Sequence, residues 1–198
     1  MNKGFTLIEL VISIFVLSIA VIGVYSVFSA MLILTSDSAD RLVAIYLAQE
    51  GAEIIRNMRD NAWLANEERD AWLDKIAPPN GPNCTSGCKA DFTTDTGVSG
   101  AYPLQPWAGG NDNDYLTLAG SFYTYKEVGE NIIKTKFKRK IKISLFDDGQ
   151  RGFLDHAVKV VVEASWDQRA TIFRSADLAS DCNRSNCITV EYILYNWY

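Results

Sequence analysis

Glu9 is the first residue whose position asks for a chemical reason. It stands against residues 10 to 34, LVISIFVLSIAVIGVYSVFSAMLIL, and no charged side chain occurs from Leu10 to Ser36. An acidic side chain costs roughly 2.5–3.5 kcal/mol at the centre of a membrane helix and less toward its end, and an ordinary anchor gains nothing from one. Ahead of it sits only Met1-Asn2-Lys3-Gly4, a short basic leader ending in glycine. Glycine leaves its carbonyl sterically open, as a protease cutting at a membrane face requires.

Other residues could do chemistry further along. The 4 cysteines form two tight pairs, Cys84-Thr-Ser-Gly-Cys88 and Cys182-Asn-Arg-Ser-Asn-Cys187. In a chain that leaves the cytoplasm such usage points to disulfides, with local pairing preferred among three connectivities and cross-pairing open. The spacing is wrong for a zinc knuckle. Lys134, Lys136, Lys138, Lys140 and Lys142 alternate with other residues. In a strand they would form a basic stripe with roughly 6.6 Å between members, able to take an anion, DNA or an acidic neighbour, or else a solvated face or lysine-guarded edge. Asn111-Asp112-Asn113-Asp114 offers oxygens to calcium but lacks the distal glutamate of an EF-hand, so a polar turn is the better reading. His156 is the only histidine, and no G-x-S-x-G, H-E-x-x-H or phosphate-cradling glycine loop is present. No catalytic residue, metal ligand or cofactor is assigned. The net charge of −5 and pI of about 4.9 argue against general affinity for nucleic acid or anionic lipid.

The elements that must position these groups follow from patterning. Residues 10 to 34 would span about 38 Å as a helix, enough to cross a hydrocarbon core of about 30 Å. The run is too long for a secretory signal, and its flank Thr35-Ser36-Asp37-Ser38 is a poor cleavage site. Between Asp37 and Asn61, Val43, Leu47, Ile54 and Met58 recur at helical spacing, with Gly51 in the same stripe. Asp37 with Arg41, and Arg56 with Asp60, lie four apart on an exposed face. A second helical piece, about 66 to 76, ends at Pro78-Pro79-Asn80-Gly81-Pro82. Residues 80 to 120 read as an irregular connecting region. Residues 133 to 145 alternate, with Ile133, Phe137, Ile141, Ile143 and Leu145 opposite the lysines. Residues 157 to 166 and 188 to 195 also read as strands, 121 to 126 more weakly, and Asp147-Asp148-Gly149 as a hairpin turn. The fold class is therefore α+β: a long N-terminal helix, half membranous and half amphipathic, packed on a C-terminal antiparallel sheet.

Lys3-Gly4-Phe5-Thr6-Leu7-Ile8-Glu9 resembles the processing motif of type IV prepilins and type II secretion pseudopilins. The resemblance implies that a prepilin peptidase cuts after Gly4 and N-methylates Phe5. With the leader gone, Phe5 carries a free amine, and Glu9 of one subunit can pair with the amine of the next and fix register. Ala48-Gln49-Glu50-Gly51, followed by Arg56-Asn57 and Arg59-Asp60, resembles minor pilins of the V type and minor pseudopilin I. Trp166-Asp167 and Asn196-Trp197 resemble features of the same group, and physically read as packing aromatics at strand ends. Many major pilins carry a proline in the first half of this helix; here Gly23 and Ser26 occupy that region, which leans toward a minor subunit.

The implied organisation is a leader at 1–4, a transmembrane and filament-core helix at 5–36, and an amphipathic continuation with a second helical piece at 37–77. A loop region with the first cysteine pair follows at 78–120, then a pilin-like sheet head at 121–198. The implied protein is no enzyme. It is a structural subunit, single-pass in the inner membrane with its head outside the cytoplasm, then part of a pilus or pseudopilus. Its partners would be the prepilin peptidase, an inner-membrane assembly platform and other pilins. A head that captures a surface, substrate or DNA at a filament tip is the alternative.

Overall fold

A computed structural model describes residues 4, 6–65, 71–76, 83–92, 94, 104–109, 112–125, 132–147, 153–167, 182 and 186–195. The chain divides into two compact units, residues 1–40 and 41–198.

Helix α1 runs Leu7–Leu64, and its first part makes up the described portion of the first unit. No proline precedes residue 78. Valine and isoleucine are frequent before residue 35 and are mediocre helix formers in water. In an apolar medium, where each N–H and C=O must bond within its own segment, they are no obstacle. Every large apolar side chain from Leu7 to Leu34 is more than half exposed, all round the helix.

In the second unit the remainder of α1 buries Ala44, Leu47, Ala48, Gly51, Ala52, Ile55, Met58 and Ala62. These recur every three or four residues, so they share one face. The stripe expected from the larger residues holds at Leu47, Gly51 and Met58, while Val43 and Ile54 only flank the core. Its centre is small residues, because the helix must come down close to the sheet. A Cβ added to Gly51 would lie 2.9 Å from Val162 Cγ1 and 3.0 Å from Arg139 Cδ. The expected pairing of Arg56 with Asp60 is not formed: Arg56 reaches Glu53, and Asp60 is held by Arg59 at 2.8 Å. A shorter partner three residues away on the same face wins. Helix α2, Ala71–Ile76, buries Trp72, Leu73 and Ile76.

Among the described residues, seven strands form one sheet: β1 (Cys88–Lys89), β2 (Gln105–Pro106), β3 (Tyr115–Ala119), β4 (Phe122–Thr124), β5 (Ile132–Asp147), β6 (Phe153–Trp166) and β7 (Cys187–Tyr195). All pairings are antiparallel. Strand β5 is central. Along one edge it pairs with β6, from Phe137↔Trp166 to Asp147↔Phe153, and β6 pairs onward with β7. Along the other, its first half takes β3, with β4 beyond, and Ile141 takes Cys88 of β1. This is the α+β, pilin-like class expected. The stretch read as irregular holds β1, β2, β3 and a 3-10 turn at Asp112–Asp114. Strand β3 escaped because Leu116 and Thr117 are both buried, which erases alternation. Strand β6 starts earlier than expected, at Phe153. Residues 66–70, Asp148-Gly149 and Asn196-Trp197 lie outside the described residues.

Arg139 fastens α1 to this sheet. It sits on the helix-facing side of β5 between Phe137 and Ile141, fully buried. Nη1 donates to Leu47 O at 3.1 Å and lies 3.0 Å from Glu50 Oε2, while Nη2 donates to Ala90 O at 2.6 Å. The Tyr125 hydroxyl donates to Arg139 O at 2.6 Å. Burial pushes the Tyr125 phenol well above its ordinary range, so it stays a donor at neutral pH.

Gly51→Val places new carbons on Val162 and on the Arg139 stem. It is expected to cost about 1–3 kcal/mol by overpacking, read as a lower urea midpoint of the detergent-solubilised chain.

Candidate functional site

The residues that could do chemistry at the N-terminus lie where the helix begins. Gly4 and Thr6 are outside α1, Leu7 is its first residue, and Glu9 falls in its first turn. Phe5 lies outside the described residues. Thr6 Oγ1 accepts a hydrogen bond from the Glu9 N–H at 3.4 Å, and Thr6 O accepts from the Leu10 N–H at 3.2 Å. Threonine followed three residues later by glutamate is the capping-box spacing, which satisfies N–H groups that a helix start leaves orphaned. Glu9 is also where the positive end of the helix dipole favours a carboxylate. Its side chain is exposed. The sequence signal for this role of Thr6 is the spacing Thr6-Leu7-Ile8-Glu9.

Gly4 is exposed, and a Cβ built on it would meet nothing within 4 Å. Its φ is also outside the left-handed region. Among the described residues nothing requires glycine here, which leaves room for a requirement set by what acts on the chain.

Beyond Glu9, six hydroxyls of the helix bond back to its own backbone. Ser13 donates to Glu9 O at 2.7 Å, Ser18 to Phe15 O at 2.8 Å, Ser26 to Gly23 O at 2.9 Å and Ser29 to Tyr25 O at 3.0 Å. Thr35 and Ser38 do the same to Met31 O and Leu34 O, both at 2.8 Å. Polar groups closed upon their own helix suit an apolar medium. The helix is long and apolar enough to cross a membrane. From Glu9 the helix carries no further charge until Asp37.

The head places the other residues differently. Cys84 is bonded to Cys88 and Cys182 to Cys187. The first pair is buried and clamps β1 on β5, where Ile143 N donates to Cys84 O at 3.1 Å. Gly87 lies between them at φ +125°, over the aliphatic stem of Lys140. The second pair closes the approach to β7.

The lysines of β5 do not form the solvated row that alternation implied. Lys138 and Lys140 are buried, at 3% and 4% exposure, because β5 is central and other segments cover that face. Lys142 lies 2.8 Å and Lys140 3.9 Å from the buried carboxylate of Glu163 on β6. Lys134 and Lys138 stand over the Tyr115 ring at 5.0 and 4.3 Å, within cation–π range. Lys136 is half-buried. The edge-strand reading fails for the same reason, since β5 is paired on both sides.

Asn111 lies outside the described residues, and Asp112–Asp114 form the 3-10 turn. Asp114 is buried; its Oδ1 accepts from the Ala108 N–H at 3.2 Å and sits 3.5 Å from Lys89 Nζ. Among the described residues no three His, Cys, Asp or Glu side chains gather as a metal site requires. His156 lies in β6. Trp166 ends β6 fully packed, and Asp167 accepts a hydrogen bond from the Tyr115 hydroxyl. Asp91 was also missed: it accepts from Thr124 Oγ1 at 2.6 Å and from the Tyr125 N–H at 2.9 Å, tying the loop after β1 to the end of β4.

Residues 1–25 match a family model described as the prokaryotic N-terminal methylation motif. No curated protein and no solved structure matches the chain. The matched motif indicates prepilin-type processing at this N-terminus, and with it a prepilin peptidase and assembly with other pilins.

Lys142→Gln removes the nearer cation from a carboxylate that stays buried. It is expected to lower stability by about 1.5–3 kcal/mol in urea unfolding.

Proposed function

We propose that the chain is a minor pilin or pseudopilin, a structural subunit of a type IV pilus or type II secretion-like filament. A prepilin peptidase removes residues 1–4 and methylates the amine of Phe5. Until assembly, residues 5–36 hold the chain in the inner membrane as a single pass, with the head outside the cytoplasm. An assembly platform then passes it into a filament with sibling pilins, where the apolar helices pack together.

The observation that carries this reading is Glu9: a carboxylate in the first turn of a helix whose next charge is Asp37, and whose apolar side chains are exposed all round. An apolar surface of that extent needs lipid or like helices to cover it. A charge carried into either medium needs a counter-charge, and the amine freed by leader removal supplies one at the same depth on a neighbouring copy. The pairing then sets how far one helix is displaced along the next. Trimming, anchoring and register thus draw on Gly4, Phe5 and Glu9 together. The minor subclass is supported by Ala48-Gln49-Glu50-Gly51, where Glu50 and Gly51 engage Arg139, and by the absence of proline from the first half of the helix.

A tip module binding DNA or another anion through the β5 lysines is less supported, since Lys140 and Lys142 are committed to Glu163.

Mass spectrometry of the chain from membranes of a host with a prepilin peptidase is expected to show residues 1–4 missing and one methyl group on the Phe5 amine. An intact Met1 in such a host refutes the reading. Glu9→Leu is expected to be trimmed and membrane-bound but to enter fibres at least about tenfold less often, because a buried amine without its partner costs several kcal/mol. Fibre counts by immunoblot of sheared material measure this.

A further inference from the structure

Thr6 stands between the bond that is cut and the helix that holds the chain. We propose that Thr6 is a positioning residue for leader removal: its side chain fixes the start of α1 at Leu7 and keeps the Gly4 carbonyl outside the helix, where a peptidase can reach it. This rests on the prepilin reading above.

Hydrolysis delivers a water oxygen to the Gly4 carbonyl carbon and a proton to the Phe5 nitrogen. The C–N bond breaks, leaving a Gly4 carboxylate and a Phe5 amine. The carbonyl must be approachable and free to become tetrahedral. Inside an α-helix its oxygen is held by an N–H four residues on and its backbone is coiled, so such a bond is a poor substrate. In this chain Gly4 is outside α1, which begins at Leu7. The Glu9 N–H is held by Thr6 Oγ1 at 3.4 Å, the Leu10 N–H by Thr6 O at 3.2 Å, and a Cβ built on Gly4 would meet nothing within 4 Å.

Without that cap two things could happen. The first turn could unravel, or the helix could grow backward. Unravelling next to lipid strands N–H groups where no water can reach them, at several kcal/mol each. Backward growth satisfies them, and Asn2 is the next residue of a type that caps well. A helix begun at Asn2 would enclose the Gly4–Phe5 bond. The hydroxyl of Thr6, with Glu9 favouring a helix start just there, selects the shorter helix.

The test uses the full-length chain in proteoliposomes with a purified prepilin peptidase, following the appearance of the Phe5 N-terminus by mass spectrometry. Thr6→Val keeps the shape and removes the acceptor; Thr6→Ser and Thr6→Asn keep an acceptor. Thr6→Val is expected to be cut about fivefold more slowly, the size of a typical N-cap effect on a helix-end equilibrium, with Ser and Asn near wild type. Hydrogen exchange at the Phe5 and Thr6 amides is expected to slow in Thr6→Val alone. Cutting of Thr6→Val at or above the wild-type rate overturns the proposal. Equal slowing of all three variants also overturns it, since the peptidase would then be reading threonine itself. A wild-type chain left uncut, or a Gly4→Leu chain cut as fast as wild type, instead sinks the prepilin reading beneath it.

Discussion

A guanidinium buried against a helix backbone is the contact on which the head depends. Arg139 bonds Leu47 O, Glu50 and Ala90 O, while its own carbonyl takes the Tyr125 hydroxyl. It therefore joins four segments: the second part of α1, the loop after β1, the end of β4 and the middle of β5. A buried charge is not in itself stabilising, because losing water costs about as much as the new bonds return. What such a group supplies is definition. Apolar surfaces slide past one another at little cost, whereas a fork aimed at particular oxygens fits in one register. Gly51 is the other half of the device, since only the smallest residue lets Arg139 and Val162 pass so close beneath the helix. Glu50, at 37% exposure on its side chain, adds a weaker contribution because water screens it.

Much of this was legible in the sequence, for physical reasons that also explain the failures. The long helix could be read because composition over many residues leaves it no competitor. Strands β6 and β7 could be read from β-branched runs, and β5 from alternation. That same alternation misled about the lysines. It correctly put them on the face away from the helix, but a period of two says nothing about what covers a face. Arg139 was invisible for a related reason: in Lys136-Phe137-Lys138-Arg139-Lys140 it looks like one more cation, although its parity places it with the apolar residues. The helix stripe was read from its large residues, whereas the buried centre is alanine and glycine. Small residues carry little hydrophobic signal, yet they are what close packing demands. At the N-terminus, Gly4, Phe5 and Glu9 stood out by type and place, and Thr6 hid in a spacing.

The two units meet one requirement in opposite ways. In the head, polar groups removed from water find partners across segments far apart in sequence, as at Arg139 Nη1 and Nη2, Asp91 Oδ2 and Glu163 Oε1. In the first unit they are satisfied locally: the hydroxyls of Ser13, Ser18, Ser26, Ser29, Thr35 and Ser38 each bond the preceding turn of their own helix. Local closure leaves that helix indifferent to whether lipid or other helices surround it. Long-range closure makes the head a body that keeps its form.

The helix face that rests on the sheet has to wait for it. Gly51 settles on Val162, so its seat is made only after most of the chain has been synthesised, and β5 between them needs strands from both before and after it. During translation the second part of α1 therefore exists without its floor. A stripe of leucine in that interval would invite capture by other unfinished chains. A stripe centred on Ala44, Ala48, Gly51 and Ala52 offers little to grip. The closeness that the finished head requires and the mildness that the nascent chain requires are met by the same few side chains.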